Sequence, residues 1–266
     1  MEKSWPGGLP YYTIADHFKK IFKEKVYKIP VSVVDDCPNR MGLKGMKTCS
    51  FCDVWGSAAR EESFQLTLNQ QIEAFHGPIS KKYKAKKFLI YFQAYTNTFT
   101  KISSLRANFE TALAYPYVNG FVVGTRPDCL SESVLQLWQE YCEKSFVAIE
   151  LGVQSFFNPH LEFMQRGHTA EDSLKAIEKI NHKTTVDLGI HLIFGSPDET
   201  EKQIIETAHI CNNLPITNVK LHNMHVLKNT QLEKWYNDGS YKPPELDEYT
   251  RKVQLFLSYL HPRLAI

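Results

Sequence analysis

Val26-Tyr27-Lys28-Ile29-Pro30-Val31-Ser32-Val33-Val34 leads directly into Asp35-Asp36-Cys37. The first nine residues read as a strand, because β-branched side chains suit a pleated surface better than a helical turn. A polar, glycine-bearing loop from Asp35 to Thr48 follows it and carries the first cysteine. Upstream, Thr13 to Glu24 reads as an amphipathic helix with Ile14, Phe18, Ile21 and Phe22 on its apolar face. Downstream, short apolar runs recur at Lys87–Gln93, Gly120–Gly124, Val147–Val153, Val186–Phe194 and Asn218–Leu221. Runs of this kind are expected of strands buried on both faces. Helical patterns lie between them at Ile102–Ala114, Ser131–Cys142, Ala170–Asn181 and Glu199–Asn212, and a last one spans Leu246–Leu260. The strand spacing of about thirty residues is that of a βαβ unit. Six such units imply parallel strands with helices outside, and they are too few for the closed eight-fold barrel. The expected fold is therefore an α/β partial (βα)6 barrel over residues 25–266, preceded by an N-terminal helical extension over 1–24.

The chain has 266 residues, is 43% hydrophobic and carries a formal net charge of +2, enough for one large domain and too little basicity to demand a nucleic-acid partner. Met1 to Pro10 contains no continuous apolar stretch, and no apolar run is long enough to span a bilayer, so a cytoplasmic protein without a membrane partner is expected. Six cysteines in a chain this long do not read as a disulfide framework. Cys37, Cys49 and Cys52 crowd together, which suggests a metal, while Cys129, Cys142 and Cys211 are scattered and read as small core residues.

Three thiolates leave a site one ligand short. A zinc ion would need a fourth protein ligand, for which His222 and His225 are the best candidates. A cubane iron–sulfur cluster would keep one iron without a cysteine and open to another molecule. Gly42 and Gly45 let the loop wrap closely around inorganic sulfide, and the cysteines follow the first strand at the carboxyl end, where barrel sites form. Glu150 interrupts an apolar strand, where a carboxylate is costly unless paired. Thr125 and Arg126 end another strand on the site's side, though with Asp128 they also suit a simple turn before the helix at Ser131. Lys81, Lys82, Lys84, Lys86 and Lys87 read either as a solvated segment or as a phosphate-tracking patch.

Several motifs in order carry a resemblance: Cys37-Pro38-Asn39-Arg40, Cys49-Ser50-Phe51-Cys52, Tyr91-Phe92-Gln93-Ala94-Tyr95-Thr96, Gly124-Thr125-Arg126-Pro127-Asp128, Glu150-Leu151-Gly152-Val153-Gln154-Ser155, Arg166-Gly167-His168 and Lys220-Leu221-His222. Together they resemble the radical S-adenosylmethionine (SAM) superfamily, in the branch related to the catalytic subunit of elongator and, within it, the YhcC/YtqA-type family. The resemblance implies a [4Fe–4S] cluster on Cys37, Cys49 and Cys52, with SAM chelating the open iron. It also implies reductive cleavage of SAM to a 5′-deoxyadenosyl radical. Gln93, Ala94, Tyr95 and Thr96 stand where the superfamily has a glycine-rich segment that grips the SAM amino group, so here backbone carbonyls would do the gripping. Glu150 and Gln154 match the fourth-strand pair facing SAM, and Arg166 matches an arginine that pairs with its carboxylate. Phe51 stands where an aromatic ring lies beside the adenine, and His191 takes a position that is acidic in some relatives. Val33-Val34-Asp35-Asp36 stands where close relatives are glycine-rich, and Gly195-Ser196-Pro197-Asp198 replaces their usual Gly-Leu-Pro-Gly turn; the chains of relatives are expected to run on past Ile266. The implied partners are an electron donor such as flavodoxin or ferredoxin and, as first substrate, tRNA modified on a wobble uridine side chain. A small-molecule or peptide substrate, or a zinc-stabilised RNA-binding module without catalysis, are the competing readings.

Overall fold

The computed structural model describes residues 9–53, 55 and 65–266; the start of the N-terminal extension, residues 1–8, lies outside them. Thr13 accepts the Asp16 amide and opens helix α1, Ile14–Phe22, which Lys23 ends in the left-handed conformation. Six strands follow: β1 Val26–Val31, β2 Lys87–Phe92, β3 Val118–Thr125, β4 Phe146–Gln154, β5 Asp187–Phe194 and β6 Asn218–Asn223. They form one sheet in sequential order, and every neighbouring pair is parallel. Between them run α2 Leu68–Tyr83, α3 Ile102–Leu113, α4 Glu132–Cys142, α5 Asn158–Phe163, α6 Ala170–Lys183 and α7 Glu201–Asn213; α8 Gln231–Asn237 and α9 Leu246–Tyr259 come after β6. The sheet curls into a half-barrel with the helices around it.

Most of the core lies between sheet and helices, where Phe88, Phe92, Phe109, Phe121 and Trp138 are fully buried. The inner face of the half-barrel has its own packing. Phe18 of α1 shares one buried cluster with Val26, Leu89, Tyr91, Val122 and Ala148, so the first helix closes the amino-terminal end of the barrel. The chain end is tied to the same place, because the Ile266 amide donates to Tyr12 O and the Ile14 amide to Ile266 O, both at 2.8 Å.

β1 stops at Val31, three residues before the predicted end. The Gln71 side chain takes over the pairing there, accepting from the Ser32 amide at 2.8 Å and donating to Ser32 O at 2.9 Å. Gln71 belongs to α2, a helix for which the periodicity reading had no place. Its Gly77-Pro78 pair reads as a breaker, yet Thr67 and Gln70 form a reciprocal capping box that starts it. The short helices α5 and α8 were also missed.

The lysine run ends α2 and opens β2. Lys87 pairs with Val26 at the start of β1, whereas the cysteines follow that strand's far end. The lysines therefore sit at the opposite rim from the cysteines, which removes the geometric support for a phosphate-tracking patch beside the site. Among the described residues no helix is long and apolar enough to cross a membrane.

Candidate active site

The carboxyl ends of the strands open onto a cavity of about 260 Å³. Cys37, Cys49 and Cys52 line it from the loop after β1, together with Phe51. That loop is held from several sides. The Ser50 amide donates to Met164 O at 3.0 Å, and Ser50 O accepts from the Leu232 amide at 2.8 Å. Asn39, 1% exposed, donates through Nδ2 to Lys47 O (2.8 Å), to Gln165 O (2.6 Å) and to Cys49 Sγ (3.5 Å). Burial, and next the neighbouring Cys49, push the Cys52 thiol up to about 12, so metal binding there must displace a proton. Among the described residues no three His, Cys, Asp or Glu side chains are grouped to hold a single metal ion. All six cysteines are free; Cys211 is fully buried, while Cys129 and Cys142 are half-buried.

β2 and the turn after it bring Gln93, Tyr95 and Thr96 to the cavity wall. Ala94 is not on that wall: it is fully buried, and its carbonyl accepts from Asn97 Nδ2 at 3.2 Å. The same Asn97 amide also reaches Phe92 O (2.8 Å) and Gly124 O (3.0 Å), so one side chain pins the turn to β2 and β3. Tyr95 sits at φ +56°, a backbone region that favours glycine.

Thr125 and Arg126 come from the end of β3, and both line the cavity. Thr125 Oγ1 shares a 2.5 Å hydrogen bond with Thr98. Arg126 grips Asp128 with two bonds of 2.9 Å and donates to Arg166 O at 2.7 Å, while its Nη1 is buried without a partner. Ser131, not Asp128, caps α4. Arg166 is 6% exposed and committed at every guanidinium nitrogen. Nη1 donates to Cys49 Sγ (3.3 Å), Nη2 to Gly152 O (3.0 Å) and Nε to His168 (3.3 Å). Gln154 lies beyond a β-bulge in β4 at φ +70°, and its buried Oε1 is unpartnered.

The cavity floor is a polar cluster inside the barrel. Glu150 is paired with Lys28 of β1, accepts from His191 Nε2 at 2.7 Å, and has Lys220 Nζ at 3.6 Å. His222 in turn donates to His191 Nδ1 at 3.2 Å, giving an oriented chain from β6 through β5 to β4. Burial alone would raise the Glu150 carboxyl, but the His191 hydrogen bond and the Lys28 and Lys220 charges hold it well below the usual range. Burial lowers His191, against the opposing pull of Glu150, and takes His222 down to about 3, so burial favours the neutral form of both rings. Burial, reinforced by Glu150, pushes the Tyr91 phenol well up.

Sequence reasoning passed over Lys28, Asn97 and Gln71, and gave Asn39, Tyr91 and Lys220 no role. Lys28 had a usable signal, since it alternates with Val26 in an apolar strand and so points to the same face.

The radical SAM superfamily model matches residues 31–211, and the Radical_SAM C-terminal domain model matches residues 216–266. Protein MJ0486 of Methanocaldococcus jannaschii is 36% identical over 94% of this chain and 77% of its own length. The YtqA protein of Bacillus subtilis is 30% identical over 96% of this chain and 79% of its own. A tRNA uridine(34) acetyltransferase of M. jannaschii is 30% identical over 47% of this chain but only 23% of that protein. The structure of the archaeal Methanocaldococcus infernus Elp3 with an N-terminal deletion superposes with a TM-score of 0.65 at 19% identity, covering 90% of this chain; the chain spans 55% of that structure's length. The chain thus belongs to the radical SAM superfamily, among relatives of the YhcC/YtqA type, a superfamily whose cofactors are a [4Fe–4S] cluster and SAM.

Proposed function

We propose that this chain is a radical SAM enzyme in which Cys37, Cys49 and Cys52 hold the cluster, and that it modifies a uridine side chain of tRNA. The observation that carries the first part is that all three thiols line one cavity with the carboxyl ends of β2 to β6. The donor set fits the cofactors. Three soft thiolates suit iron and leave one corner for a second ligand. Gln154 Oε1 offers an acceptor and Arg126 Nη1 a donor, each buried and unpartnered, as a nucleoside with an amino-acid tail requires. Gly124 and Gly152 keep the wall thin, since a Cβ at Gly152 would fall 2.9 Å from Gln154 Nε2.

When bound, the cluster and SAM supply a one-electron reduction of the sulfonium and a carbon radical that abstracts hydrogen. The chain's own residues position and insulate. Phe51 packs in the cluster that also contains Met164, Ile193 and Met224, which shields that side of the cavity from water. Asn39 and Arg166 aim two N–H groups at Cys49 Sγ. Such bonds favour the more electron-rich sulfur and so raise a cluster's reduction potential. Asn39→Ala is accordingly expected to make the midpoint more negative by about 60 mV, the one-electron equivalent of the roughly 1.4 kcal/mol that a single hydrogen bond contributes, read by an EPR-monitored redox titration. An unchanged midpoint refutes that role.

The partial match to a tRNA uridine(34) acetyltransferase supports the tRNA reading. So do Lys44 and Lys47, exposed on the cysteine loop, where lysines suit an RNA backbone. Anaerobic reconstitution with iron and sulfide, reduction and assay of SAM cleavage test the first part. Mass spectrometry of tRNA nucleosides from a strain deleted for the gene tests the second, and an unchanged nucleoside profile rejects tRNA as the substrate.

A further inference from the structure

The floor of the cavity carries more positive than negative charge. Glu150 is ionised, and its oxygens are already taken by Lys28 and by the 2.7 Å bond from His191. Burial disfavours a positive charge on either histidine. Lys220 is the outermost of the group: it stands 3.6 Å from Glu150, lies 5.2 Å from the centre of the Tyr91 ring, lines the cavity and keeps 42% of its side chain accessible. Two ammonium groups therefore face one carboxylate. A cation held at the edge of an apolar, partly closed space attracts a negative group far more strongly than it would in water.

We propose that Lys220 is the recognition point for a single oxyanion, a carboxylate or a phosphate, carried by the substrate. The proposal rests on the radical SAM reading for which molecule enters this cavity. Depth separates this point from the cysteine rim. Lys220 is two residues before His222 on β6, which places it about 6–7 Å further from the carboxyl end of the strand. Gly152 and Gln154 end β4 and the thiols follow β1, at that carboxyl end. On the radical SAM reading the cysteine rim would hold the amino-acid end of SAM, and an anion at the floor would then belong to another molecule. Burial lowers the Lys220 ammonium, with Glu150 opposing. That agrees with a cation whose present partners do not fully compensate it, and an incoming anion would raise it again.

The test uses the whole chain, anaerobically reconstituted and loaded with SAM, at constant ionic strength. It is titrated separately with ¹³C-acetate and with inorganic phosphate, each read by line broadening in its own NMR spectrum. Saturable binding of either probe is expected, with acetate alone identifying a carboxylate and phosphate alone a phosphate. Lys220→Met should weaken that binding at least about tenfold, and Lys220→Arg should retain it. Equal binding by wild type and Lys220→Met overturns the proposal. So does displacement of the probe by SAM, because the anion would then be SAM's own carboxylate. The Arg variant guards against a folding defect in the Met variant. Titration before cluster assembly still reads the anion site, so a protein that never acquires iron and sulfide defeats the radical SAM reading while leaving this result to stand by itself.

Discussion

Cys49→Ala is expected to lose the iron–sulfur absorbance after anaerobic reconstitution and to cleave SAM no faster than reductant alone. Loss of a group that merely supports a metal ligand costs about 10–100-fold in affinity or activity, and removing the ligand itself exceeds that, so a fall of about 1000-fold or more is the expected scale. Cys49 is the informative choice because it is the thiol that receives both N–H donors, from Arg166 at 3.3 Å and from Asn39 at 3.5 Å. Its removal takes away a ligand and leaves a buried guanidinium nitrogen without an acceptor, while the backbone bonds of the adjacent Ser50 to Met164 and Leu232 remain to hold the loop. The far-UV circular dichroism should therefore stay that of the wild type. Cys211→Ala is the control. Cys211 is fully buried in the core on α7, away from the cavity, so it should lower stability modestly and leave iron binding intact. If Cys49→Ala retains iron, sulfide and SAM cleavage, the thiol triplet is not the cluster site.

The fold class was legible because the barrel's strands are short apolar runs at a constant interval, a signal set by burial on both faces. The cysteine loop was legible because its spacing is local. The polar floor was legible only at Glu150 and His191; its pairings were not, for a reason in its construction. Lys28 and Glu150 are separated by 122 residues and Glu150 and Lys220 by 70, so no window of sequence contains the partners. An inward lysine in a strand can be read as odd, but its partner is known only once the sheet curls. Asn39 and Asn97 escaped for another reason. Asparagine in a loop usually serves its own turn, and only the folded chain reveals that Asn39 reaches Gln165 and that Asn97 ties two strands together. α2 has Pro78 inside it, a residue that obscures a helical pattern read from sequence. Arg166, expected to meet a carboxylate, is already fixed by Gly152, His168 and Cys49. A guanidinium is rigid and many-donored, and so brace and binder are hard to tell apart from sequence.

Glu150→Gln is expected to cost about 3–5 kcal/mol of folding stability, because breaking a buried ion pair from one side leaves its partner charges uncompensated. That is a large part of the roughly 5–15 kcal/mol that holds a domain together, and a urea titration reads it as a lower midpoint. Lys28→Met in the same chain should recover much of the loss, since removing both members of a buried pair is often close to neutral. Additive losses in the double variant would mean that the pair is not coupled. Acid gives an independent reading of the buried imidazoles, His222 in this cluster and His168 beside Arg166. His222 is lowered to about 3 and His168 to about 4, in each case chiefly by burial, against about 6.5 in an unfolded chain. The unfolded state thus binds more protons, and stability falls as pH drops below about 6.5 toward those values. Glu150 adds a second arm. Its carboxyl lies well below the usual 4.5, so its contribution is complete above the unfolded value and disappears as pH falls beneath it. In Glu150→Gln the histidine arm should persist while the more acidic arm shrinks. A wild-type midpoint that does not change between pH 7 and 4 would contradict neutral, buried imidazoles, and with them the charge balance that leaves Lys220 in need of an anion.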